Sequence, residues 1–480
     1  MQDRIQQRDI MDINTIKSVY FVGAGGIGMS ALIRYFLANG KKVAGYDKTP
    51  SKLTEQLNEE GAEIHYEDHI DLIPEGCKNP KETLVVYTPA VPDSHAELCY
   101  FRANGFEVMK RAKVLGEITN CSRGLCIAGT HGKTTTSSMV AHLLKQSQVD
   151  CNAFLGGILK NYDSNLMLSS KSDLTVIEAD EFDRSFHWLS PYMAVITSAD
   201  PDHLDIYGTP EAYRESFEHF TSLIRPDGCL IMKKGIHVTP RLQSGVKFFT
   251  YSGARNLDTD MDICDVDFYA ENVRIGNGEI VFDFVGPDVR IENIQLGVPV
   301  KVNIENGVAA IAVAWLNGVT PEEIKKGMVS FAGPRRRFDF HLKKEQVVLI
   351  DDYAHHPAEL EASILSVKEL YAGRKVTGIF QPHLYSRTRD FASEFAASLS
   401  LLDELILLDI YPAREEPIPG VTSKIIFDAV TIGEKRMIQK DDLLDLIAKE
   451  LDRFEVVLMV GAGNIELLIN PVKQILDKKE

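Results

Sequence analysis

The segment Gly129-Thr130-His131-Gly132-Lys133-Thr134-Thr135-Thr136 joins two glycines, a cation and a run of hydroxyls. Glycines at 129 and 132 let backbone N–H groups turn toward phosphate oxygens. Lys133 can neutralise β/γ-phosphate charge and the Thr134 hydroxyl can reach Mg2+, all at a helix N-terminus. The spacing departs from G-x-x-x-x-G-K-[ST], whose first glycine would fall on Ile127. The expected chemistry is ATP use, with residues 129–135 around the phosphates.

Two acidic stretches stand at the ends of strand-like runs. In Glu178-Ala179-Asp180-Glu181-Phe182-Asp183 four carboxylates crowd together, and a divalent cation is one way to relieve their repulsion. Glu178 is the first choice as metal ligand, beside Thr134. In Asp200-Pro201-Asp202-His203-Leu204-Asp205, His203 is a candidate ligand for a second Mg2+.

A further glycine pattern, Gly23-Ala24-Gly25-Gly26-Ile27-Gly28, fits G-x-G-x-x-G, and Asp47 ends the next strand-like run, where a ribose-binding carboxylate belongs. Alone, this pair suggests an NAD-dependent dehydrogenase. Any diphosphate benefits from the same turn, however, and a dehydrogenase has no need of a second phosphate loop.

The elements that must position these groups follow a doubly wound pattern. Residues 18–47 predict strand, glycine turn, helix and strand, with another strand at 84–88. A boundary is expected near 120. Leu125–Ala128 predicts the strand entering the Gly129 loop, Thr134–Gln146 a helix, and Leu174–Glu178 and Met193–Ser198 two more parallel strands. From about 229 to 300 short alternating runs predict an antiparallel excursion. Strand-like runs at Val347–Asp352, Val376–Phe380, Leu405–Leu408 and Val456–Val460, alternating with helical stretches, predict a further α/β unit. The expected plan is three α/β domains in series: a Rossmann-like 1–120, a P-loop-type ATPase domain 121–334 and a Rossmann-like 335–480.

Composition narrows the class. The 480 residues are 44% hydrophobic and 25% charged, as in a soluble globular protein, and no apolar run approaches bilayer-spanning length. The first fifteen residues contain no apolar core of a signal peptide, so a cytoplasmic protein is expected. Seven scattered cysteines without a Cys-x-x-Cys pair argue against a disulfide framework or a zinc site. A net charge of −17 argues against nucleic-acid binding and requires any anion site to be built from particular groups. Lys133, Arg335-Arg336-Arg337, Arg387 and Arg389 are the candidates.

Together the motifs resemble the Mur ligases. The likeness runs through GAGGIGMSAL (23–32), GTHGKTTT (129–136), EADEFDRSF (178–186), DPDHLDIY (200–207), GPRRRFDF (333–340), DDYAHHP (351–357), FQPHLYSRTRD (380–390) and GAGNI (461–465). The resemblance implies an ATP-dependent amide-bond-forming ligase of peptidoglycan precursor synthesis. The first domain would bind UDP-N-acetylmuramate through Gly23, Gly25, Gly26, Gly28 and Asp47, the second ATP and Mg2+, and the third L-alanine. It further implies adenine-side roles for Asn303 and Asn306, a γ-phosphate contact for Arg337, positions near ATP and the amine for Asp352, Tyr353 and His355, and an alanine-carboxylate contact for Arg387. No membrane or nucleic-acid partner is implied, and a monomer or weak homodimer is expected. A peptide-recycling ligase of the same family is the alternative. Two positions depart from the family pattern: Val302 stands where a histidine often precedes the first asparagine, and Leu384 where an arginine often follows His383.

Overall fold

The computed structural model describes residues 15–254, 266–276, 278–413 and 415–479; the 1–14 segment, read above for a leader, and Cys264 lie outside the described residues. The chain forms two compact units, one of Met1–Ser252, Cys264–Phe268 and Ala309–Ile324, the other of Gly253–Ile263, Tyr269–Val308 and Lys325–Glu480.

The first unit opens with β1 (Ser18–Val22), β2 (Lys42–Tyr46), β3 (Glu63–His65), β4 (Thr83–Tyr87) and β5 (Glu107–Lys110), all parallel in the order β3-β2-β1-β4-β5. All five residues of β1 are buried, the mark of a strand covered on both faces. The order reverses between β1 and β4, so a crevice opens beyond their carboxyl ends, where the Gly23 turn and Thr88 lie. Gly23 has φ +91°, a conformation that side chains other than glycine's rarely adopt.

A second sheet follows: β6 (Arg123–Ala128), β7 (Asn152–Leu159), β8 (Ser164–Met167), β9 (Leu174–Ala179), β10 (Pro191–Ile196), β11 (Cys229–Lys233) and β12 (Lys247–Ala254), ordered β12-β11-β10-β6-β9-β7-β8. Only the β7–β8 hairpin is antiparallel among the pairs within this run. The antiparallel excursion expected from 229 therefore begins later. β11 and β12 extend the parallel sheet, and the first four residues of β11, Cys-Leu-Ile-Met, are all buried. The two sheets of this unit share one core containing Phe36, Phe154, Ile177 and Phe217. The buried Asn165 on β8 donates to Ile27 O at 2.6 Å and accepts from Arg34 at 3.0 Å, fastening the helix Ile27–Ala38 to the second sheet.

Under the first sheet Glu97, fully buried, accepts from Tyr20 Oη at 2.7 Å and lies 3.3 Å from His65 Nε2. Burial pushes its carboxyl up to about 7. A carboxyl raised in the folded state binds its proton more tightly there than in the unfolded chain. Stability from Glu97 is thus fullest below the ordinary glutamate range and falls as pH rises through about 7. Glu97→Gln keeps an acceptor for Tyr20 without the charge. The variant is expected to gain melting temperature relative to the parent by a few degrees (~2–4 °C) on going from pH 5 to pH 8; an unchanged difference across that range in scanning calorimetry would contradict this.

The second unit contains an antiparallel meander, β13 (Phe268–Gly276), β14 (Glu279–Gly286) and β15 (Val289–Gln295). Its other sheet comprises β16 (Asp339–Lys343), β17 (Val348–Asp352), β18 (Val376–Phe380), β19 (Glu404–Leu407), β20 (Lys435–Met437) and β21 (Val456–Val460), ordered β16-β17-β21-β18-β19-β20. All its pairs are parallel except β16–β17, so this sheet starts one edge strand earlier than the run at Val347 suggests. No helix among the described residues is long and apolar enough to cross a membrane.

Candidate active site

The Gly129 loop leaves β6, which β9 and β10 flank, and enters the helix Lys133–Lys145. Gly129 has φ +143° and a Cβ there would overlap Thr197 Oγ1, so the loop can pass this close to β10 only with glycine. Gly132, at φ +83°, is the residue from which the helix starts. Neighbouring strand ends hold the loop in shape: His131 N donates to Ser198 Oγ at 2.7 Å and Thr197 Oγ1 donates to His131 O at 2.5 Å. Thr130 Oγ1 donates to Asp200 O at 2.7 Å. Lys133 Nζ folds back on the loop, donating to Gly129 O at 2.6 Å, and pairs with Glu181 at 2.8 Å. The start of a helix and a fixed ammonium thus face the same space.

Each carboxylate of the acidic loop has its own partner, so the crowding expected to demand a cation is relieved mainly by protein groups. Asp180 faces Arg111 at 3.5 Å, Glu181 faces Lys133, and Asp183 faces Lys110 at 3.0 Å. Glu178 alone is held by neutral donors, accepting from Thr134 Oγ1 at 2.9 Å and from Gly156 N at 3.1 Å. Burial raises its carboxyl above the ordinary range, and the nearby Lys133 charge opposes that rise. A half-buried carboxylate touching a threonine hydroxyl at the phosphate loop is a set of hard oxygen donors, which fits Mg2+.

A cavity of about 340 Å³ runs from the first glycine turn to Glu178, the carboxylate that Thr134 of the phosphate loop touches. Gly26, Ile27 and Gly28 of the first turn and Thr88 line one side; Phe154, Gly156, Glu178 and Asp180 line the other, with Arg111 between. Gly28 and Gly156 have no room for a Cβ, which would overlap Arg111 and Glu178 respectively. Asp47, expected at a ribose, accepts from Gly25 N at 2.6 Å and from Thr49 N at 3.0 Å, so it also braces the turn. His203 has φ +51° and heads a short helix. Its ring meets Phe182 edge-on at 5.0 Å and Asp202 at 3.6 Å; among the described contacts none joins it to Thr134 or Glu178.

In the second unit Asp352, Tyr353 and His355 lie at the carboxyl end of β17, and His383 and Arg387 follow β18. Asp352 accepts from Ser363 Oγ at 2.8 Å, and burial raises its carboxyl. Tyr353 stacks edge-on to His355 at 5.3 Å and lies under Arg337 at 5.6 Å. His355 sits 6.5 Å from the His383 ring. Burial lowers the pKa of both imidazoles, and the positive charge of Arg387 lowers them further. Arg336 is a brace rather than a free cation: it pairs with the buried Asp351 at 3.3 Å and with Glu466 at 3.0 Å. Asn306 donates to Asn303 Oδ1 at 3.0 Å, and Asn303 donates to Val298 O at 3.1 Å. Val302 is exposed, and Leu384 has φ +70°.

Sequence reasoning passed over Arg111, Gly156, Thr88 and His383. His383 lay inside a quoted motif, and its Nδ1 is buried without a hydrogen-bond partner among the described residues. Arg111 and Gly156 carry no local signal, because their role arises from packing against residues distant in the chain.

Three family models match in series: the Mur ligase family catalytic domain over residues 18–123, the Mur ligase middle domain over 127–314 and the Mur ligase glutamate ligase domain over 336–463. A protein of Parabacteroides distasonis named UDP-N-acetylmuramate–L-alanine ligase is 77% identical over 98% of this chain and 99% of its own length. One of the same name from Porphyromonas gingivalis strain W83 is 59% identical over 96% of this chain and 99% of its own. The crystal structure of UDP-N-acetylmuramate-alanine ligase from Thermotoga maritima superposes with a TM-score of 0.76 at 27% identity, covering 96% of this chain and 98% of that one. A murein peptide ligase from Psychrobacter arcticus, with a TM-score of 0.62 at 21% identity, shares the fold.

Proposed function

Because the chain belongs to the Mur ligase family and matches alanine-adding relatives along nearly its whole length, we propose that it joins L-alanine to the lactyl carboxylate of UDP-N-acetylmuramate at the expense of ATP. The chemical problem is that a carboxylate is a poor electrophile, since its own oxygens leave badly. Phosphorylation by ATP converts one oxygen into part of a leaving group; the alanine amine then attacks the acyl carbon and inorganic phosphate departs. The observation that carries this reading is the cavity joining the Gly23–Gly28 turn to Glu178, beside the Gly129 loop. A nucleotide sugar seated on the turn would lie along the same cavity that reaches the phosphoryl-transfer groups.

In this reading Lys133 holds the β- and γ-phosphates and stabilises charge during transfer, which is chiefly a matter of positioning and electrostatics. Thr134 and Glu178 would hold Mg2+, whose chemistry is neutralisation of phosphate charge, and His203 would hold a second ion. Asn303 and Asn306 are assigned to the adenine side, Arg337 to the γ-phosphate, Asp352, Tyr353 and His355 to the space near ATP and the amine, and Arg387 to the alanine carboxylate. Residues 1–120, 121–334 and 335–480 are the corresponding UDP-sugar, ATP and amino-acid domains. We place the reaction in the cytoplasm, where the free thiols of Cys77, Cys99, Cys121, Cys126, Cys151 and Cys229 would remain reduced, and in a monomer or weak homodimer.

Purified protein with ATP, Mg2+ and UDP-N-acetylmuramate should release ADP and phosphate on addition of L-alanine. Release with an intact tripeptide but not with L-alanine would assign the chain to peptide recycling. Reduction of NAD without ATP turnover would return it to the dehydrogenases.

A further inference from the structure

The glycine turn does not by itself supply the charge a diphosphate needs. Asp47 takes the Gly25 amide at 2.6 Å and adds a negative charge to the turn. What the turn offers the cavity is the start of the helix Ile27–Ala38, whose first amides have no acceptor within the helix. Arg111, first residue of the helix Arg111–Asn120, lies over Gly28 so closely that any side chain there would overlap its guanidinium. It lines the same cavity with a quarter of its side chain exposed, and its contact with Asp180 is long, at 3.5 Å. Neighbouring Lys110 is committed to Asp183 at 3.0 Å. Arg111 is therefore a cation with most of its planar fork of donors unspent, set between a helix N-terminus and a carboxylate.

We propose that Arg111 binds the diphosphate of the nucleotide-sugar substrate and that its pair with Asp180 is a loose latch which the diphosphate displaces. The inference rests on the reading given under Proposed function and adds to it a binding residue and its competitor. A guanidinium meets a phosphate through two parallel N–H···O bonds, each stronger than a single contact at 3.5 Å. Asp180 accepts from Phe182 N at 3.1 Å through Oδ1, a different oxygen from the one that faces Arg111, so the latch can release without giving up that bond.

Calorimetric titration of the full chain tests this with two probes: UDP, which has the diphosphate alone, and UDP-N-acetylmuramate, which adds the lactyl carboxylate. Arg111→Met should weaken both by the same factor, roughly tenfold or more, and Arg111→Lys should recover part of the loss. Asp180→Asn, which frees Arg111, should leave UDP binding as tight or tighter. ATP affinity should be unchanged in all three variants, which also shows that the fold is intact. The proposal is overturned if Arg111→Met binds UDP as the parent does, or if only UDP-N-acetylmuramate is weakened, since Arg111 would then read the carboxylate. It is equally overturned if Asp180→Asn costs as much as Arg111→Met, since the pair would then be structural. A parent protein that binds no UDP would instead defeat the functional reading beneath it.

Discussion

Lys133→Met is expected to lower kcat by about three orders of magnitude, the scale of losing a preorganised charge aimed at a transferring group. Methionine keeps the aliphatic stem and removes only the ammonium. That ammonium also neutralises Glu181, which is only 2% exposed and lies 2.8 Å away. The single variant should therefore lose stability as well, on the order of 3 kcal/mol, because a buried carboxylate is left without its partner. The double variant Lys133→Met with Glu181→Gln separates the two effects. Its melting temperature should return toward the parent's while kcat stays low. Recovery of turnover in the double variant would show that Lys133 acts through stability rather than on phosphate.

Arg387→Ala is expected to raise KM for L-alanine roughly 100-fold while leaving KM for ATP and for the nucleotide sugar unchanged, as removal of a charge-assisted contact does. The geometry narrows the choice of cation. Leu384 stands where the family often has an arginine, and Arg336 is spent on Asp351 and Glu466. Arg387 is near enough to His355 and His383 to lower the pKa of both. Arg387→Lys should recover part of the loss, since an ammonium supplies charge without the planar fork. With alaninamide, which has no carboxylate, parent and Arg387→Ala should perform alike. A variant equally impaired with alaninamide would point to a misplaced loop rather than a lost carboxylate contact.

Much of this was legible in the sequence because the informative features are local. A strand ending in glycine and leading into Gly-Lys-Thr describes a phosphate loop without reference to the rest of the chain, and the loop indeed leaves β6 at its carboxyl end. Strand β1 was equally legible, as a short apolar run closed by a glycine turn. What escaped was set by distance. Cys229–Met232 is a continuous apolar run whose parallel pairing with β10 depends on a partner more than thirty residues earlier, and the alternating strands after it suggested an antiparallel sheet too soon. The acidic loop was read as a carboxylate cluster in search of a cation. Lys110 and Arg111 lie some seventy residues before it and carried no sign that they would neutralise it. Gly156 belongs with Glu178 only because β7 pairs with β9.

The most direct test of the account follows oxygen. UDP-N-acetylmuramate labelled with 18O in its lactyl carboxylate is turned over with ATP, Mg2+ and L-alanine, and the inorganic phosphate is analysed by mass spectrometry. An acyl phosphate requires one labelled oxygen to leave with each phosphate released, so half-stoichiometric or full single labelling, set by the enrichment of the carboxylate, is expected. Phosphate released in step with amide formation but free of label would contradict the phosphorylation of the carboxylate, and with it the role assigned to the cavity that runs from the Gly23–Gly28 turn to Glu178.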